Sequence, residues 1–278
     1  MKQLAVPLAI GLSLSVLSAP VLAKSTIGGI VFLNTYNSSQ DDNLDSANDL
    51  SNLTLANAGN SRLRIKWNNE DRVSMYYELA LKGSGVTVRH AYGKWDFSET
   101  GQILAGQTST PFAPLNANVA MVNNSGEGYG RVSPGRQSQI RYTYKFLNRD
   151  GAIAVALVNP NKGSIPTVDD DNDPTTDEVA QTREQSLPRL DVGMAYSKFN
   201  WQIFPSFFYH EVEFAGGAES ITSNGIAFGF RTAAGPVTFE AEMGAGKNWG
   251  NTAGSYGSNS IAGARSGALY NGGVLGDD

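Results

Sequence analysis

Apolar and polar side chains alternate with a period of two along most of the chain, which is the pattern of β-strands. Between residues 61 and 67, Leu63, Ile65 and Trp67 share one face, and the basic residues share the other. No segment shows a convincing helical period, so we predict an all-β fold of about eleven strands. The predicted strands are residues 26–36, 61–68, 72–82, 86–96, 102–108, 136–147, 152–159, 189–199, 201–213, 225–232 and 237–245.

The predicted connections alternate between short and longer segments. The long ones, residues 37–60, 109–135 and 160–188, all fall at one end of the strands, and every second connection is short. Short turns at one end and longer loops at the other are typical of a transmembrane antiparallel β-barrel. A two-sheet β-sandwich, as in a secreted adhesin or binding protein, does not require this sorting and is the alternative.

Aromatic residues cluster beside the predicted short turns. A barrel places such residues in girdles at the membrane interface, whereas a compact core would place them in the middle of the strands. Several others, including Phe204, Phe207 and Phe208, are mid-strand, so the pattern is not uniform. The residues beside the turns are Trp67, Trp95, Phe97, Tyr142, Tyr144, Phe146, Phe199 and Trp201.

Composition excludes several functional classes. There are no cysteines and two histidines, so disulfides, thiolate zinc sites and cysteine nucleophiles are impossible. The net charge of -5 gives no reason to expect a nucleic-acid partner. Beyond residue 23 there is no apolar run of the roughly 20 residues that a spanning helix needs.

The N-terminus has the features of a secretory signal peptide. A positive start at Lys2 precedes an apolar stretch from Leu4 to Val16, and small residues end at Ala23. We predict residues 1–23 as the signal peptide, 24–246 as barrel strands and loops, and 247–278 as a Gly/Ser/Asn-rich external loop or tail. An N-terminal anchor helix is the alternative.

Three stretches resemble the Gram-negative trimeric porins, and most closely their DcaP-like branch. They are residues 88–93 (VRHAYG), residues 103–112 (ILAGQTSTPF) and residues 136–142 (RQSQIRY). The resemblance covers about residues 24–245. It implies a homotrimer of water-filled barrels in the outer membrane, in contact with lipid and lipopolysaccharide. It also implies that the loop after the fifth strand, residues 109–135, folds into the lumen.

The end of the chain departs from that family, because porins generally finish on a strand with a terminal aromatic residue. This sequence finishes at Asp278 in a Gly/Ser/Asn-rich tail, and eleven is an odd number of strands. Bacterial single-chain barrels have even strand counts. We therefore predict an incomplete barrel from a C-terminally truncated chain, with a twelfth strand in residues 260–270 as the alternative.

A diffusion channel needs a polar lumen, a narrow point and an electric field rather than catalytic residues or a cofactor. Turning the arginines toward lipid would cost about 2–4 kcal/mol each at the midplane, so we place them inside, where they form a basic wall. We expect small hydrophilic solutes, anions in particular, to pass. The candidate pore-lining residues are Arg62, Arg64, Lys66, Glu78, Arg89, Arg141, Lys145, Asp191, Arg231, Glu240 and Glu242.

Three other features carry weaker hypotheses. The family's constriction loop would place Asn116, Asn118, Glu127, Tyr129 and Arg131 in the lumen. The acidic run containing Asp169, Asp171 and Asp173 has oxygen ligands suited to Ca²⁺ or Mg²⁺, although a solvated acidic loop fits it better. An outer-membrane hydrolase is the least favoured function, since Ser206 and His210 share a strand face but lie two pairs apart, which is too far for a direct hydrogen bond.

Overall fold

The computed structural model describes the strands of the chain and the shorter connections between them. The described residues are 24–40, 50–57, 61–82, 85–115, 134–159, 167–168, 179–180, 183–214, 221–247, 269–271 and 274–276. Within them no helix has the length and apolar character to cross a membrane.

Strands and one short 3₁₀-helix, Leu147–Arg149, make up the regular structure of these residues. The strands are β1 (Lys24–Ile30), β2 (Leu33–Gln40), β3 (Leu50–Asn57), β4 (Arg62–Asn68), β5 (Val73–Lys82), β6 (Gly85–Trp95), β7 (Gly101–Ser109), β8 (Arg136–Phe146), β9 (Gly151–Val158), β10 (Thr167–Val168), β11 (Val179–Ala180), β12 (Arg183–Ser186), β13 (Arg189–Lys198), β14 (Trp201–Phe214), β15 (Ile221–Ala234), β16 (Val237–Lys247), β17 (Leu269–Asn271) and β18 (Val274–Gly276).

One antiparallel sheet contains most of these strands, in the order β1-β4-β5-β6-β7-β8-β9-β13-β14-β15-β16, with β12 extending the pairing of β14. The all-β prediction is confirmed, and each of the eleven predicted segments contributes one strand to this path. Within the described residues β1 and β16 do not pair, so the sheet is not closed.

Two predictions about the first strands were wrong. The single strand predicted over residues 26–36 is divided into β1 and β2, because the pairing with β4 ends at Ile30. The long loop predicted over residues 37–60 contains β3, which pairs with β2 along its full length. This hairpin was missed because its strands are rich in Asn and Ser, which have low β-propensity.

The two faces of the sheet have the reverse of the polarity found in water-soluble proteins. In β8, Ile140 is 59% exposed while Gln137 and Gln139 are 3% and 5% exposed. A row of apolar side chains runs across six strands on the exposed face. Leaving this row in water would be costly, because exposed apolar surface costs about 25 cal/mol per Å². The row is Ile103, Tyr142, Val155, Val192, Phe207 and Ile226.

The exposed apolar face excludes the sandwich, whose apolar residues would meet in a dry interior. Tyr142 and Val237, which a sandwich would bury, are 46% and 64% exposed. The exposed aromatic residues Trp95, Phe97 and Tyr142 lie close together beside the short connections, with Trp95 and Phe97 rings 5.7 Å apart. We call this end of the sheet, with its connections between β4–β5, β6–β7, β8–β9, β13–β14 and β15–β16, the short-turn end.

The sheet curves around its polar face. The inward segment, residues 110–115, leaves β7 and reaches β16, where the Leu115 N–H donates to Glu242 Oε1 at 3.2 Å. Pro111, two residues beyond the end of β7, packs against Gly193 on β13, which is three strand positions away. In a flat sheet β7 and β13 would be about 14 Å apart, from a spacing of ~4.8 Å per strand. Two extended residues span at most about 7 Å. The polar face is therefore concave.

Candidate functional site

Strand register brings charged residues of three strands together on the concave face. Arg64 on β4 lies opposite Glu78 on β5, and Glu78 lies opposite His90 on β6. Arg62 lies one row further along β4 on the same face, because successive side chains of a strand alternate between faces. A carboxylate is thus placed in the middle of a basic surface.

A β-bulge in β6 adds a third arginine to this group. The pairing passes from Glu78–His90 to Leu79–Val88, so that Arg89 has no opposite residue. A bulge of this kind lets two successive residues point to the same side. Val88 is exposed on the apolar face, whereas Arg89 and His90 both contact polar partners on the concave face. Strict alternation would have turned His90 outward.

Glu78 is buried and accepts hydrogen bonds from three arginines. Its Oε2 accepts from Arg64 Nε at 2.8 Å, and its Oε1 accepts from Arg89 Nε at 2.7 Å and from Arg62 Nη1 at 3.4 Å. The Tyr76 hydroxyl also donates to Oε2, at 2.8 Å. We call Arg62, Arg64, Arg89 and Glu78 the arginine cluster; its formal charge is three minus one, or +2.

His90 joins the arginine cluster to the next two strands. Arg136 Nε lies 2.9 Å from His90 Nε2, and His90 Nδ1 lies 2.8 Å from Thr108 Oγ1. Because a guanidinium can only donate, Nε2 must accept, and the imidazole proton is assigned to Nδ1. A neutral imidazole is thus held between Arg136 and Thr108.

At the short-turn end, the Asp96 carboxylate is contacted by several donor side chains. Gln102 Nε2 lies 2.6 Å and Lys145 Nζ 3.1 Å from its Oδ1, and Lys94 Nζ lies 3.5 Å from its Oδ2. Burial raises the pKa of the Asp96 carboxyl, but the hydrogen bonds from Gln102 and Lys145 and the nearby ammonium charges outweigh it and hold the pKa below its ordinary value. Lys145, predicted to line the pore, is therefore engaged at this end rather than near the arginine cluster.

The inward segment is anchored to the strands opposite β7. Its Ala113 N–H donates to Ser206 Oγ on β14 at 3.0 Å, and the Phe112 ring meets the Phe208 ring edge-on at 4.8 Å between centroids. Pro111 packs against Gly193 on β13 so closely that a Cβ at Gly193 would overlap the Pro111 carbonyl oxygen. The start of the predicted constriction loop therefore crosses the concave face.

A buried ion pair supports this anchor. Arg189 and Asp191 on β13 are joined by two hydrogen bonds, Nε to Oδ1 at 2.6 Å and Nη2 to Oδ2 at 2.8 Å. The guanidinium also lies over the Phe208 ring, 5.6 Å from its centroid. Asp191, a predicted lumen anion, is thus fully buried and neutralised by Arg189, which the sequence analysis did not select.

The remaining predicted pore-lining residues also have partners. Lys66 Nζ lies 5.7 Å from the centre of the Tyr76 ring, and Arg141 Nη1 donates to the Ser109 carbonyl at 3.4 Å. Arg231 is paired with Glu240, and Glu242 holds the inward segment. On the β13–β16 side the acidic residues are thus matched by donors, whereas the arginine cluster keeps excess positive charge.

Some predicted site residues lie outside the described part of the chain. These are the loop residues Asn116, Asn118, Glu127, Tyr129 and Arg131 and the acidic residues Asp169, Asp171 and Asp173. Among the residues that the structure does describe, no group of three His, Cys, Asp or Glu side chains is placed to hold a metal ion.

Tyr76, His90 and Arg136 also belong to the site, although none of them was predicted as a site residue. Strict alternation does not place His90 on the same face as Arg89, and only the bulge at Arg89 brings it there. Arg136 lies on β8 and reaches His90 across β7. A signal for Tyr76 was present, since it shares strand parity with Glu78.

Comparison with known proteins supports the fold. No family model matches the chain, and no curated protein does either. Among solved structures, the outer membrane channel DcaP of Acinetobacter baumannii matches with a TM-score of 0.60 and 17% identity, over 91% of this chain and 70% of that one. An anion-selective porin from Comamonas acidovorans matches with a TM-score of 0.39 and 12% identity, over 80% and 78%.

A loop-deleted OmpT, an outer membrane protein of Vibrio cholerae, matches with a TM-score of 0.44 and 16% identity, over 81% of this chain and 82% of that one. The DcaP match extends over nearly all of this chain, and the apolar exposed face and polar concave face are those expected of a membrane barrel. The chain therefore has the porin-like β-barrel fold of outer-membrane channels.

Proposed function

We propose that this protein forms a water-filled channel in the Gram-negative outer membrane, through which small hydrophilic solutes diffuse passively and anions pass more readily than cations. The observation that carries the proposal is the inverted polarity of the sheet combined with the arginine cluster on its concave face. An apolar exterior suits lipid, and a polar concave interior suits water and solutes.

The charges of the concave face give the expected selectivity. The arginine cluster carries a formal +2, while the acidic residues across from it are paired with Arg189 and Arg231 or bonded to the inward segment. A net positive wall raises the local concentration of anions even though the whole chain carries -5. No catalytic residue is required for this function.

Three further elements belong to the same proposal. The inward segment narrows the channel, with Asn116, Asn118, Glu127, Tyr129 and Arg131 following it along the chain. Residues 1–23 direct export and are removed, and residues 24–246 form the barrel, with 247–278 as an external segment. The working form is a homotrimer surrounded by lipid and lipopolysaccharide.

Reversal potentials in a planar bilayer under a KCl gradient test the proposal. We expect channel activity from the refolded chain with a preference for Cl⁻, and a shift toward K⁺ in Arg64→Gln. Arg72→Gln is the matched control, because Arg72 is an exposed arginine at the short-turn end and should leave the selectivity unchanged. A wild-type channel that prefers K⁺, or equal selectivity in both variants, would remove the role of the arginine cluster.

A further inference from the structure

A cavity of about 350 Å³ opens at the short-turn end of the concave face, between β1, β4, β5 and β6. It lies outside the arginine cluster and contains none of its four residues. Its lining residues are Lys24, Thr26, Lys66, Trp67, Asn68, Ser74, Met75, Tyr76, Tyr92 and Lys94.

Strand register explains why most of these side chains meet. One row across the four strands consists of Thr26, Lys66, Tyr76 and Tyr92, each directly opposite the next. The neighbouring row consists of Lys24, Asn68, Ser74 and Lys94. The two rows are two residues apart along each strand, so they share the concave face.

The cavity is strongly cationic. Lys24, Lys66 and Lys94 come from three different strands, and no carboxylate is among the ten lining residues. The Lys94 ammonium lies 3.5 Å from Asp96 Oδ2, and Asp96 is shared with Lys145. The pair of Asp96 and Lys145 is neutral as a unit, so the three lining lysines keep an excess of positive charge.

Aromatic rings hold the centre of this cavity in place. The Tyr76 and Tyr92 rings lie 5.6 Å apart, and the Lys66 ammonium lies 5.7 Å from the Tyr76 ring centre, within the range of a cation–π contact. The Tyr76 hydroxyl donates to Glu78, which ties the cavity to the arginine cluster one row away. Lys66 is therefore positioned between the cavity and the cluster.

We propose that this cavity is a binding site for a phosphate group, carried by inorganic phosphate or by a small phosphate monoester. Lysine ammonium groups bind phosphate as point charges from several directions, and three lysines but no carboxylate line the cavity. The inference rests on the proposed channel, since it names a solute class for it, but binding is measurable without conduction.

The test is isothermal titration of the folded full chain in detergent with sodium phosphate and, separately, with glycerol 3-phosphate, against a constant chloride background. We expect saturable binding that weakens by about tenfold in Lys66→Gln and in Lys94→Gln, since each removes one of three charge-assisted contacts. Lys198→Gln is the matched control, because Lys198 is an exposed lysine at the short-turn end that does not line the cavity.

Retained folding of each variant is checked by its circular dichroism and by its migration on an unboiled gel. Binding of phosphate alone identifies the free ion as the ligand, and binding of both compounds identifies the phosphate group. Absence of binding to folded wild-type protein, or equal losses in Lys66→Gln and Lys198→Gln, overturns the inference. Phosphate binding without channel activity would support the phosphate site and reject the proposed channel. Channel activity without phosphate binding would support the channel and reject the phosphate site.

Discussion

Replacing Glu78 by Gln is the most informative single perturbation of the concave face, because it keeps the size of the side chain and removes its charge. A carboxylate offers two acceptor oxygens, while an amide offers one oxygen and one donating NH₂ group. If the NH₂ group takes the place of Oε2, Arg64 and Tyr76 lose their acceptor; if it replaces Oε1, Arg89 and Arg62 lose theirs.

The magnitude follows from those contacts. A hydrogen bond to a charged group contributes about 1.5–3 kcal/mol, and breaking a buried ion pair by removing one partner costs about 3–5 kcal/mol. The Arg64 side chain is 33% exposed, so water replaces part of its loss. We therefore expect Glu78→Gln to lower the free energy of unfolding by about 3 kcal/mol.

Urea unfolding of the refolded chain in detergent, followed by tryptophan fluorescence, measures this loss. Glu99→Gln is the matched control, since Glu99 is exposed on the connection between β6 and β7. Glu78→Gln should also raise the formal charge of the arginine cluster from +2 to +3 and increase the preference for Cl⁻, opposite to Arg64→Gln. If Glu78→Gln and Glu99→Gln unfold at the same urea concentration, the reasoning about a buried, over-coordinated carboxylate is wrong.

Two other variants test separate parts of the structure. Asp96→Asn should cost about 1 kcal/mol of stability at pH 7. Because hydrogen bonds and nearby lysines hold the folded pKa of Asp96 below its ordinary value, the wild type should keep this advantage at neutral pH and lose it as the pH falls below the ordinary aspartate pKa, as urea unfolding across pH would show. Phe112→Ala should cost about 3–5 kcal/mol and increase single-channel conductance by loosening the inward segment, whereas the exposed control Phe97→Ala should leave the conductance unchanged.

The strands were predictable from the sequence because apolar and polar side chains alternate regularly along membrane strands. The short turns between the strands are rich in Asn, Asp and Gly. Parity alone placed Arg62, Arg64 and Glu78 on one face correctly. The convergence of three arginines on Glu78 was not predictable, since it depends on the register of β4 against β5 and on the bulge at Arg89.

Contacts between distant strands were also not predictable from the sequence. The hydrogen bond between Ala113 and Ser206 joins residues 93 positions apart, and nothing in either local sequence indicates it. The pairing of Arg189 with Asp191 lies within one strand and could have been proposed from their spacing, but only the packing of Phe208 shows that the pair is buried.

The central claim is that one face of the sheet contacts lipid and the other lines a water-filled interior. The chain has no cysteine, so single cysteines can be placed in turn at residues 152 to 155 of β9 without a background thiol. In lipid vesicles, a fluorophore at Ile153 or Val155 should be quenched by spin-labelled lipid, and cysteines at Ala152 and Ala154, which are partly exposed on the concave face, should instead react with a charged, water-soluble thiol reagent. The opposite parity, or no alternation along the strand, would contradict the account.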